Sequence, residues 1–140
     1  MTPSDALPGR IAVVARRDAS PEPERPGFDP AGEYYECYLP VLGPASWLAY
    51  RYLAAKVTQE PALVDPAELA REIGLNPSLA RSAPLGAAFA RLEAFGLLRW
   101  ESPAVCAVQR SVPALSNRLA KRLPIEARAR HFRIVGGLQP

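Results

Sequence analysis

Sixteen of the 140 residues are proline, and their placement decides where regular structure can begin. Proline fixes φ near the helical value and has no amide hydrogen, so it suits the first position of a helix and disrupts a helix interior or a central strand. Pro3, Pro8, Pro21, Pro23, Pro26 and Pro30 crowd the start of the chain among acids and glycines, which predicts a flexible proline-rich arm over residues 1–33. Its one apolar island, Arg10-Ile-Ala-Val-Val-Ala-Arg16, is β-branched and predicts a short edge strand over 10–16 laid on the body. Pro44, Pro66, Pro84 and Pro124 each stand at the start of an apolar helical pattern.

From Gly43-Pro44, the residues Ala45, Leu48, Ala49, Tyr52, Leu53 and Val57 recur at helical spacing and predict a first helix over 44–57. Asp65-Pro66-Ala67-Glu68 has the form of a capping box, with Asp65 accepting from first-turn amides and Glu68 reaching back. It predicts a short helix over 66–73 with Leu69, Ala70 and Ile73 inward, ended by Gly74. After a polar connection, Pro84 opens a third helix whose buried stripe is Leu85, Ala88, Phe89 and Leu92, closed by Gly96. Leu97–Trp100 and Val105–Arg110 read as the strands of a hairpin. Two further helices are expected, one over Asn117–Leu123 capped by Ser116 and one over about 124–135. The expected fold is mainly α with a small β-hairpin, organised as an arm (1–33), a central domain (34–115) and basic C-terminal helices (116–140).

The chemistry available is narrow. With 49% hydrophobic and 22% charged residues the chain can bury a core unaided. Only Cys37 and Cys106 are cysteines, far apart, which excludes a disulfide-dense scaffold and points to inert thiols in a reducing cytoplasm. A single histidine, His131, read as a surface residue of the last helix, leaves no basis for a His-centred catalytic constellation, so no enzyme is expected. Neither cysteine has a second ligand type at finger-like spacing, and the glycines form no phosphate cradle, so neither metal nor cofactor is expected. No run approaches the ~18 apolar residues of a bilayer span, and no membrane association is expected.

Charge is divided unevenly along the chain. Six Arg/Lys meet eight Asp/Glu over residues 1–60, three meet four over 61–98, and eight meet two over 99–140. A cationic last third is a pointer to a polyanion, because Arg and Lys on one surface attract phosphates and release counterions.

Helix, short helix, turn, longer helix and hairpin is the order of a winged helix-turn-helix, with the hairpin beside the third helix as the wing. Leu69-Ala-Arg-Glu-Ile-Gly-Leu75 followed by Phe89-Ala-Arg-Leu-Glu-Ala-Phe-Gly-Leu-Leu-Arg99 resembles bacterial winged-helix transcription regulators, nearest the MarR type, over residues 65–110. Tyr38-Leu-Pro-Val-Leu-Gly-Pro-Ala-Ser-Trp-Leu-Ala-Tyr-Arg-Tyr52 is similar to the first helix of winged-helix domains in replication-initiation proteins of the helicase-loader type. The whole chain also looks like small Ala/Arg/Pro-rich winged-helix proteins of actinobacteria and their phages.

The resemblance implies a cytoplasmic transcription regulator that binds double-stranded DNA, as a homodimer, with the third helix in the major groove and the wing on phosphate. On that helix only Arg91 among the outward positions can hydrogen-bond a base, so limited base readout is expected. Asn76, Ser78, Arg81 and Ser82 in the preceding turn could reach the groove edge, while Arg99, Arg110, Lys121 and Arg122, with Arg118, could neutralise phosphates. Ser82 is equally readable as the third helix's cap. An alternative stays open: Gly86, Ala87, Ala90 and Ala94 would form a flat strip on which a replication or transcription protein could dock.

Overall fold

A computed structural model describes residues 6–16, 27–57 and 61–137. Their elements run β1 (Ile11–Ala15), β2 (Gly27–Phe28), α1 (Tyr35–Leu42), α2 (Pro44–Lys56), β3 (Ala62–Val64), α3 (Pro66–Glu72), α4 (Pro84–Ala94), β4 (Leu98–Ser102), β5 (Val105–Val108), β6 (Val112–Pro113), α5 (Asn117–Ala120) and α6 (Ile125–Gly137). Among the described residues the fold is mixed α/β, six helices with a four-stranded and a two-stranded sheet; the expected helices and hairpin are joined by more strand than one hairpin supplies.

The difference originates at the N-terminus. β1 occupies an interior position in a four-stranded sheet of order β3-β1-β5-β4, antiparallel to β3 and parallel to β5. The expected edge strand is therefore paired on both sides. Ile11 and Val13 have no exposed surface, because the alternation of a strand turns both onto the core face. Ladder pairs are Ile11 with Val64 and Val13 with Cys106. The Arg16 guanidinium donates to the Gly96 carbonyl at 2.6 Å, fastening the end of β1 to the turn between α4 and β4.

The expected flexible arm is also corrected wherever it is described. Leu7 is buried and its amide donates to the Leu79 carbonyl at 2.7 Å, and β2 pairs antiparallel with β6. Residues 1–5 and 17–26 of that expectation lie outside the described residues.

α2, α3 and α4 each start on the proline that the sequence marks. The Asp65 carboxylate accepts from the amides of Ala67 at 3.0 Å and Glu68 at 3.3 Å, capping α3. Glu68 does not reach back to complete the box but meets Arg71 at 3.5 Å. Ser82 is not a cap either: the residue before α4 is Ala83, which has no side-chain acceptor to offer. Ser116 does cap α5, accepting from the Leu119 amide at 3.3 Å. Gly74 and Gly96 leave their helices at φ +79° and +75°, as left-handed terminators do.

α1 is an element the sequence reading does not contain. Gly43, at φ +85°, separates it from α2 and turns the chain. Buried Tyr38 packs its ring on Trp47 at 5.7 Å, and its hydroxyl donates to the Pro113 carbonyl at 2.5 Å. α2 packs most extensively on α4 and also touches α1, α3 and β5. Trp47, Tyr50 and Leu53 of α2, with Leu85, Phe89 and Leu92 of α4, form the centre of one core shared with the inner face of the sheet. α6 lies on α1.

Candidate nucleic-acid interface

α4 and the β4–β5 hairpin meet through aromatic rings. Phe89 sits with Trp100 at 6.1 Å between centroids, and Arg81, from the turn before α4, lies over the Trp100 ring at 5.7 Å. A guanidinium on an aromatic face is held by the ring quadrupole, so Arg81 is carried at the junction of the turn, α4 and β4. Trp100 is partly exposed, and the ladder of β4 against β5 shifts register between Trp100 and Ser102.

The other turn residues make local structure. Asn76 accepts from the Ser78 amide at 2.9 Å and Ser78 from the Ala80 amide at 3.3 Å. Both side chains are exposed, as is Ser82, but two of the three are shaping their own loop. Gly86 is buried, which corrects its expected place on an outward strip. A Cβ there would meet the Arg81 carbonyl oxygen at 2.5 Å and the Ala80 carbonyl oxygen at 2.7 Å, so this glycine is where the 80–81 turn crosses the helix closely. Ala87, Ala90 and Ala94 are exposed as expected.

Arg91 does not stand ready for a base. Its guanidinium donates to the Val41 carbonyl at 2.6 Å, satisfying one of the open carbonyls at the end of α1, and lies over Phe95 at 5.8 Å. Arg99 pairs with Glu101 at 2.9 Å, two residues along the same exposed strand edge. An exposed pair of this kind contributes only ~0–1 kcal/mol, so a phosphate can replace the carboxylate at small cost.

In space, the cationic last third is partly cancelled. Arg130 meets Glu36 at 2.7 Å across the α6–α1 contact, and Arg133 meets Glu33, just before α1, at 3.5 Å. Arg110, Arg118, Lys121 and Arg122 are exposed and have no acidic partner among the described residues. Arg118, Lys121 and Arg122 stand at i, i+3 and i+4 on α5 and the turn that continues it, where Lys121 N–H still bonds to the Asn117 carbonyl at 3.0 Å. The Arg122 amide bonds instead to the Leu119 carbonyl at 3.0 Å, tightening the turn, so three exposed cations lie within five consecutive residues. Arg118 thus joins Lys121 and Arg122 as a third exposed cation of this segment.

His131, expected at the surface, is 1% exposed. The Leu115 amide donates to the Tyr34 hydroxyl at 2.9 Å, and that hydroxyl lies 2.7 Å from His131 Nδ1. Both bonds are satisfied when the imidazole is neutral with its proton on Nε2, leaving Nδ1 to accept from Tyr34. Burial holds the histidine below its ordinary pKa and pushes the Tyr34 phenol up to about 12, the Leu115 amide opposing the latter. The sequence signal was present: Ala127, His131 and Ile134 form the inner stripe of α6 at i, i+4 and i+7. Burial likewise raises Cys37 to about 11 and Cys106 to about 12, so both thiols stay protonated at neutral pH.

Among the described residues, no group of three or more His, Cys, Asp or Glu could hold a metal, and no helix is long and apolar enough to cross a membrane. Comparison with protein families, curated proteins and solved structures finds no match to this chain.

Proposed function

We propose that the protein is a winged-helix module that binds duplex DNA through phosphates, with α4 as the third helix of the motif and β4–β5 as the wing. The observation that carries this reading is the exposed trio Arg118, Lys121 and Arg122, clustered within five residues and without acidic partners among the described residues, while neighbouring Arg130 and Arg133 are paired. Exposed cations clustered in one short segment are suited to phosphate oxygens. Arg81, over the Trp100 ring, is a further cation beside α4, while Arg99 stands on the opposite, exposed face of β4. The element order α2, α3, α4 and hairpin supports the winged-helix assignment.

Readout of base sequence has little to work with. The exposed face of α4 offers Ala87, Ala90 and Ala94, and Arg91 is held by the Val41 carbonyl. Occupancy of duplex DNA, rather than recognition of a dedicated operator, is what these residues suit. The same face favours a second reading, docking of a replication or transcription protein on Ala87, Ala90 and Ala94, with Gly86 removed from that strip by its burial.

Fluorescence anisotropy with two duplexes of unrelated sequence tests the proposal at low salt. The expected result is similar affinity for both and similar loss for both when Arg118, Lys121 and Arg122 are replaced by alanine. Strong preference for one duplex, or no loss in the triple variant, would contradict it.

A further inference from the structure

α6 buries one face against α1 and leaves the opposite one open. Ile125 is 77% exposed and Phe132 46%, and the helical period puts them in line with exposed Ala129 and Gly136, at i, i+4, i+7 and i+11. Large and small side chains alternate along this stripe: Ile125, Ala129, Phe132, Gly136. On one flank of it stand Glu126 and Arg133, both exposed and of opposite sign.

We infer that this face of α6 is a homodimer surface, on which the α6 helix of a second copy packs antiparallel about a two-fold axis passing between Arg130 and His131. That axis sets Ile125 opposite Gly136 of the second copy and Phe132 opposite Ala129 of the second copy, so every bulky group meets a small one. An isologous contact of this kind needs a patch complementary to itself. The two-fold also sets each flank of the helix against the same flank of its mate. Glu126 then lies beside Arg133 of the second copy, about 3 Å apart along the axis at 1.5 Å per residue, and the pair occurs twice. Within one chain Arg133 reaches Glu33 only at 3.5 Å with both side chains largely exposed, so it can turn to the mate. On the other flank the two copies of Arg128 are five residues apart along the axis, about 7.5 Å, and exposed to solvent. The contact does not involve Arg118, Lys121 or Arg122, and the inference is independent of DNA binding.

Sedimentation velocity of the full chain without nucleic acid, from micromolar to submillimolar concentration, tests it. Wild type is expected to dimerise. Phe132→Glu is expected to be monomeric with an unchanged circular-dichroism spectrum, because residue 132, though its ring lies 4.9 Å from His131, is 46% exposed and outside the core cluster. Glu126→Arg and Arg133→Glu are each expected to lose the dimer, and the double reversal to regain it, a rescue that a merely unfolded α6 would not give. A monomeric wild type throughout, or a dimer untouched by Phe132→Glu, would overturn the inference and give the face to another occupant. Charge reversals without effect would overturn the antiparallel register.

Discussion

Gly86 and His131 are single residues whose surroundings fix the local structure. At Gly86, helix propensity favours alanine by up to ~1 kcal/mol. The backbone oxygens of Ala80 and Arg81 stand 2.7 and 2.5 Å from where a Cβ would sit, and backbone cannot rotate aside as a side chain can. Steric cost wins, and Gly86→Ala is expected to destabilise by about 1–3 kcal/mol in urea denaturation. Unchanged or increased stability would mean that the turn does not cross the helix so closely. His131 gives a pH signature. Its folded-state pKa is depressed by burial, so the unfolded chain takes up the proton first as pH falls. Stability is therefore full above the unfolded value of about 6.5 and declines as the pH drops below it. Asp65 adds a separate, more acidic loss. Desolvation raises its carboxyl, but the Glu68 amide, the Arg10 guanidinium at 2.8 Å and the Ala67 amide together outweigh that and hold it low. Thermal melts from pH 8 to pH 5 should show the histidine step, and His131→Phe should flatten it while lowering overall stability by leaving Tyr34 without an acceptor.

β1 is the element whose role differs most from what a proline-rich N-terminus suggests. Because it joins β3 to β5, Ile11→Ala should cost about 2–5 kcal/mol by urea denaturation, as for a fully buried aliphatic. An appendage would give no measurable effect. Helix starts were legible in the sequence at Pro44, Pro66 and Pro84, and helix ends at Gly74 and Gly96, because both signals are local backbone chemistry. α1 was not, since Pro40 lies inside it and marks a break rather than a helix. β3 spans three residues and β2 and β6 two each, too short for periodicity to register. The parallel pairing of β1 with β5 joins segments some ninety residues apart, which no local pattern encodes. At the candidate interface, the cations themselves could be read off the chain. Their partners could not: Arg91 is held by a carbonyl of the unanticipated α1, and the pairing of Arg130 with Glu36 requires α6 to lie on α1.

At the scale of the whole molecule, the formal charge of +3 says little, because its parts are distributed and partly paired. Glu33 and Glu36 of the first half neutralise Arg133 and Arg130 of the second, while Arg110, Arg118, Lys121 and Arg122 are left without acids among the described residues. The molecule is thus more locally basic around residues 110–122 than its total implies. Binding of a polyanion to such a surface is driven by counterion release, and its salt dependence counts the phosphates neutralised. The most direct test is the affinity for a duplex of arbitrary sequence, measured by anisotropy from about 50 to 200 mM salt. The account predicts a linear fall of log affinity with log salt, and a slope shallower by roughly two to three in the Arg118→Ala, Lys121→Ala, Arg122→Ala triple variant, about one per lost phosphate contact. No duplex binding at the lowest salt, or binding indifferent to salt, would contradict it.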